Sequence, residues 1–129
     1  MPRNPFFHVD VRVRNFAEVT DFYRAFLPAI GFEKGWESDD WKGYTAEGKL
    51  PELPFFAFTE DPDHRANANR IAFWVSGQGE VDRVAAIIRK AGAINVEGPS
   101  LNPEYSPDYY AVFFEDPNGN RFEVVHRET

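Results

Sequence analysis

Any chemistry in this chain has to come from carboxylates, guanidinium groups, imidazoles and aromatic rings. Its 129 residues include 3 His, 21 Asp plus Glu, 14 Lys plus Arg and no Cys. Thiolate nucleophiles, thiolate metal ligands and disulfides are therefore excluded. Nor is there a phosphate-cradling glycine loop, an H-E-x-x-H helix or a G-x-S-x-G elbow. The informative polar residues are those that alternate with apolar ones. His8, Asp10 and Arg12 alternate with Val9, Val11 and Val13; Arg70, Ala72 and Trp74 with Ile71, Phe73 and Val75; Arg121, Glu123 and Val125 with Phe122 and Val124. Successive strand side chains point to opposite faces, so each set shares one face. A carboxylate on such a face suits proton transfer. A guanidinium there suits a ligand carboxylate, through its planar donor fork. Trp36, Trp41, Tyr44, Trp74, Tyr109 and Tyr110 either line an aromatic ligand site or belong to the core. His64 and His126 read as solvent or core histidines.

The elements that must position these residues can be read from periodicity and punctuation. Asn15-Phe16-Ala17-Glu18 has the form of a capping box, with Glu18 reaching back to the Asn15 amide. Phe16, Val19, Phe22, Tyr23, Phe26, Leu27 and Ile30 follow at helical spacing. Pro28 should break or kink the last turn, and Gly31 is placed to end it in a left-handed conformation. Short strands are expected over Phe32–Glu37, Trp41–Ala46 and 54–59, punctuated by Gly43, Gly48 and Pro51. The second half repeats the plan, with a strand over 70–75, a helix over 80–91 ended by Gly92, and strands over 93–97, 109–114 and 120–126. Asp116-Pro117-Asn118-Gly119 joins the last two strands as a tight hairpin. The order is βαβββ twice, joined by a polar linker over 60–69, with a long loop over 100–108.

Composition sets the outer limits. Hydrophobic residues are 43% and aromatics 16% of the chain, with 13 Phe, which supports one globular domain and not two. No apolar run reaches the roughly 20 residues that span a bilayer. The first residues lack the apolar core of a signal peptide, so a soluble cytoplasmic protein is the expectation. The net charge of −7, with scattered basic residues, argues against nucleic acid, whose binding needs a basic stripe.

Three stretches together carry a resemblance. They are His8 to Asn15 leading into Thr20-Asp21-Phe22-Tyr23 and on to Ile30-Gly31-Phe32, then Arg70-Ile71-Ala72-Phe73, then Tyr109 through Asp116-Pro117-Asn118-Gly119 to Glu123. They resemble the opening strand and "FY…LG(F/M)" helix, the "H-I-A-F" strand with its His replaced, and the "DP(D/N)G…(I/F)E" hairpin of the glyoxalase I / bleomycin-resistance / extradiol-dioxygenase superfamily. The resemblance implies an α+β fold, one domain over 1–129. Its tandem βαβββ modules, about 6–60 and 69–127, form a curved, cup-like mixed β-sheet with helices on the convex face. It also implies homodimerisation, with modules from two chains completing each cup.

In metal-using relatives the ligands would fall here at His8, Ala57, Arg70 and Glu123. Only His8 and Glu123 can ligate, and Arg70 adds a fixed positive charge, so a divalent metal should bind weakly. An Arg70–Glu123 ion pair filling the metal's space is the expected replacement. The implied function is that of a lyase-, isomerase- or dioxygenase-like enzyme acting on a small oxygenated molecule. Glu123 and Arg70 would be catalytic, as general base and charge stabiliser, and Asp10, Arg12, Trp74 and Tyr110 ligand-binding. The alternatives are a metal-free protein that sequesters an antibiotic-like ligand, and an interaction module whose cup is filled by its own side chains.

Overall fold

The computed structural model describes residues 5–48 and 53–129; the expected turn residue Pro51 lies outside them. The first module consists of β1 (His8–Val13), α1 (Phe16–Ala29), β2 (Phe32–Glu37), β3 (Trp41–Ala46) and β4 (Phe55–Glu60). The second consists of β5 (Arg70–Trp74), α2 (Gln78–Lys90), β6 (Ile94–Leu101), β7 (Tyr110–Glu115) and β8 (Arg121–His126). Each module folds into its own mixed four-stranded sheet, ordered β1-β4-β3-β2 and β5-β8-β7-β6. The duplication extends to the register. His8 pairs with Phe55 and Asp10 with Ala57 in the first parallel pair; Arg70 pairs with Arg121 and Ala72 with Glu123 in the second.

Alternation sorts the strands as expected. Val13, Phe56, Phe58, Val112, Phe114, Phe122 and Val124 face the helices and are fully or almost fully buried. They meet Val19, Phe22, Tyr23, Phe26 and Leu27 of α1 and Val81, Val84, Ala85 and Ile88 of α2 in a single core. Rings from both modules interlock there: Phe56 lies 5.7 Å from Phe73 and 5.9 Å from Phe122, and Phe26 lies 5.2 Å from Phe114. The helix-facing sides of both sheets are thus consumed by one another. The opposite side of each sheet, its open face, is left on the outside.

Two devices fasten the modules at the rim of this core. The Asp116–Gly119 hairpin buries Asp116 completely. Its carboxylate accepts the Tyr23 hydroxyl at 2.5 Å, the Asn118 and Asn120 amides at 2.8 and 3.0 Å, and Asn120 Nδ2 at 2.9 Å. Burial, followed by the Asp116 charge and hydrogen bond, raises the Tyr23 phenol well above its ordinary pKa. Asn120 also donates to the Arg12 carbonyl, and Arg83 of α2 donates to the Ala29 carbonyl.

The expected capping box does not form. Asn15 makes no side-chain cap, and the Glu18 carboxylate is taken by Arg14 at 3.2 Å. Glu60, at the end of β4, accepts the Phe16 amide at 2.8 Å instead. Asn118 Oδ1 accepts the amides of Arg14 and Asn15. A carboxylate at a helix start meets both free N–H groups and the positive end of the dipole, so Glu60 serves where Glu18 was expected. Pro28 is accommodated inside the last turn of α1, and Gly31 follows with φ +103°. β6 runs through Leu101 into the expected loop, because two register irregularities let it keep pairing with β7. Among the described residues no helix is long and apolar enough to cross a membrane.

Candidate functional site

The open face of module two carries most of the chemistry. Across β5, β8 and β7 its residues form rows: Arg70, Arg121 and Glu115, then Ala72, Glu123 and Phe113. Two grooves flank the second row. One, of about 490 Å³, includes Arg70, Asn95, Glu97, Phe113, Glu115 and Arg121 in its lining; the other, of about 480 Å³, is lined by Ala72, Trp74, Tyr105, Tyr109, Val125 and Arg127. Glu123 lies between them and is only 6% exposed. Its Oε2 accepts a hydrogen bond from the Tyr109 hydroxyl. Burial, and then this bond and the Glu123 charge, push the Tyr109 phenol above its usual pKa, so it stays a donor at neutral pH. The Arg70 guanidinium lies 4.8 Å over the Phe113 ring.

The open face of module one is aromatic. The His8 imidazole stacks on Phe55 at 4.5 Å and meets the edge of Phe7 at 5.2 Å. Trp36 lies 4.9 Å from Trp41 and 5.6 Å from Phe55. A glycine makes room for this cluster. Trp36 is paired with Gly43, where a Cβ would stand 2.7 Å from the indole and 2.6 Å from the Phe56 carbonyl oxygen. Asp10 is already occupied, accepting from Arg12 and from Thr59 at 3.1 Å each.

The expected site residues are therefore only partly brought together. Arg70, Trp74 and Glu123 share the open face of module two, with Trp74 72% exposed. His8, Asp10 and Arg12 lie on the open face of module one, and the common core separates the two faces within a chain, so His8 does not join Arg70 and Glu123 in one hollow. The expected Arg70–Glu123 ion pair is absent: Arg70 stacks on Phe113, and Glu123 is held by Tyr109. Tyr110 is on the other side of its sheet, donating to Asp82 of α2 at 2.6 Å, and Tyr44 is in the core. Arg121 is the functional candidate that sequence reasoning did not single out, and Tyr109, weighed there only as a ring, is the partner of Glu123. Arg121 was placed on the right face by alternation, but was given no role.

Metal ligation finds little support in these residues. Ala57 is fully buried beside Gly43 and has no donor, and Arg70 is cationic. Among the described residues no three His, Cys, Asp or Glu side chains cluster to hold an ion.

The comparisons agree with this fold. The model of the Glyoxalase/Bleomycin resistance protein/Dioxygenase superfamily matches residues 6–124. A glyoxalase/bleomycin resistance protein from Albidiferax ferrireducens T118 has a similar structure, with a TM-score of 0.76 at 23% identity, covering 97% of this chain and 100% of that one. A glyoxalase/bleomycin resistance protein/dioxygenase family enzyme from Burkholderia phytofirmans PsJN gives 0.69 at 16% identity, covering 92% and 95%. The fosfomycin resistance protein FosX from Mesorhizobium loti gives 0.66 at 17%, covering 98% and 95%. No functionally curated protein matches the chain. With repeated βαβββ order, matching registers and a family match over almost its whole length, the chain belongs to the Glyoxalase/Bleomycin resistance protein/Dioxygenase superfamily.

Proposed function

We propose that this chain binds a small oxygenated organic molecule on the open face of module two without a divalent metal, and that module one of a second copy closes the site. The observation that carries this reading is the residue set at the four family ligand positions. Two of them, Ala57 and Arg70, offer no donor, and the guanidinium of Arg70 occupies the face where a cation would sit. Two grooves and a ring of aromatic side chains remain available to a ligand.

A second reading is favoured by Glu123. Its carboxylate is almost wholly buried and oriented by the Tyr109 hydroxyl. It would abstract a proton from a bound molecule while Arg70 stabilises the developing negative charge. That would be lyase- or isomerase-like chemistry.

The test is a thermal-shift screen of chelator-treated protein against neutral and charged small molecules. Hits unaffected by the chelator are expected. Binding that disappears on chelation and returns with one equivalent of Mn, Fe, Ni or Zn would overturn the metal-free reading. Each hit is then followed in D2O. Solvent exchange of an acidic C–H that is lost in Glu123→Gln selects the proton-abstraction reading, and binding without exchange selects sequestration.

A further inference from the structure

Packing does not account for one feature of the open face of module two. Arg70 and Arg121 are direct cross-strand neighbours, and like charges so placed repel. In a chain of net charge −7, a nearby carboxylate would be expected to relieve them. Elsewhere that happens: Arg12, Arg14, Arg24 and Arg83 are each ion-paired, and Arg89 and Arg127 donate to backbone carbonyls. Apart from Arg65 in the linker, Arg70 and Arg121 alone among the described arginines have neither an ion pair nor a hydrogen bond.

The local carboxylates make no close pair. Glu97 and Glu115 line the same groove, and Glu115 is the cross-strand neighbour of Arg121 on β7, yet neither comes within ion-pair distance of either guanidinium. Glu115 is bonded by Asn95 at 3.1 Å, and Glu123 by Tyr109. Arg70 is meanwhile oriented by the ring beneath it, which leaves the N–H edges of its fork unspent.

We propose that Arg70 and Arg121 together form a site for the oxyanion of a small organic acid, a carboxylate or phosphonate-type group held beside Phe113 and next to Glu123. The bound anion relieves the repulsion between the two arginines and takes charge-assisted hydrogen bonds from both forks. The inference rests on the small-molecule reading above and adds to it the charge of the ligand and the role of Arg121.

The experiment is isothermal titration of chelator-treated protein with benzoate, phenylphosphonate and the neutral benzamide. At least one acid is expected to bind about tenfold or more tightly than benzamide, and Arg121→Gln and Arg70→Gln each to remove about that factor for the acid alone. The two acids separate a carboxylate site from a phosphonate site. Arg121→Gln should not lower the urea midpoint, because it removes half of a repulsive pair, whereas a merely structural arginine would lower it on removal; Arg70→Gln also gives up its contact with the Phe113 ring and is read for affinity alone. Equal affinity for acid and amide, or acid binding unchanged in Arg121→Gln, would overturn the oxyanion site while leaving small-molecule binding intact. So would failure of both acids to bind at millimolar concentration. The small-molecule reading is judged separately by the screen, which includes neutral compounds.

Discussion

Arg70 stands where the superfamily pattern has a His, and its consequences can be tested directly. Replacing the guanidinium by an imidazole removes a fixed positive charge and adds a borderline donor two positions along the face from Glu123. Arg70→His is therefore expected to raise the affinity for Ni²⁺ or Zn²⁺ by about tenfold, or about 1.4 kcal/mol, as read by calorimetric titration. Unchanged affinity would mean that Arg70 does not occupy the ligand position. Tyr109 shows where residue-level reading stopped short. Tyr109 and Tyr110 are adjacent and identical, so alternation of residue type cannot say which one shares a face with Glu123. Only the backbone entering β7 decides, and it gives Tyr109 to Glu123 and Tyr110 to Asp82.

At the scale of elements, the strands and helices were legible because the apolar periodicity changes from two to about 3.6 between glycines that end the helices. The faces follow from that same alternation, which is why Arg70, Ala72, Trp74 and Glu123 fell on the expected side, whereas the pairings between strands come from the structure. The cap of α1 was not legible. Its acceptor, Glu60, belongs to β4, far along the chain from Phe16, and no local pattern announces it. Glu60→Ala should cost about 1 kcal/mol, the usual worth of a helix cap, whereas Glu18→Ala should leave the urea midpoint nearly unchanged because its ion pair with Arg14 is exposed. Equal effects of the two would restore the capping box. Gly43 makes a sharper demand. An added Cβ would run into both the Trp36 indole and a backbone carbonyl, so Gly43→Ala should destabilise by about 1–3 kcal/mol. It should also shift the tryptophan emission, since the indole must move.

The whole molecule is held by a core that both modules share, and the phenol buried in it, together with the part-buried Tyr109 on the open face, gives stability a direction with pH. The pKa values of Tyr23 and Tyr109 are both raised in the folded state. A raised pKa means that the folded state holds the proton more tightly. This contribution is therefore complete below the unfolded value of about 10 and is lost as pH climbs toward the folded values. The alkaline limb of a stability curve should be steep in the wild type and flatter in Tyr23→Phe. That variant should also lose about 2 kcal/mol near neutrality, as a buried hydrogen bond to a charged acceptor disappears. An equally steep limb in Tyr23→Phe would assign the slope to other groups.

The same shared core explains why alternation could assign residues to faces but could not assemble them. It tells which side of a strand His8 or Glu123 occupies, and nothing in it says which chain supplies the opposite wall. The helix-facing sides are spent on one another, and on the proposal that a second copy closes the site, the aromatic face of module one opposes the arginine–glutamate face of module two between two copies. Such an interface would be isologous and give two equivalent sites. Complementation tests this. Trp41→Ala damages only the wall from module one, and Arg121→Gln only the floor from module two. Each homodimer then has two defective sites, but a heterodimer has one site carrying both changes and one carrying neither. Mixing the unfolded chains in equal amounts and refolding them should restore wild-type affinity in roughly a quarter of all sites, read as the high-affinity stoichiometry in a titration with a ligand from the screen. Full independence of the two variants, with no high-affinity sites on mixing, would place both walls in one chain and return the site to a monomer.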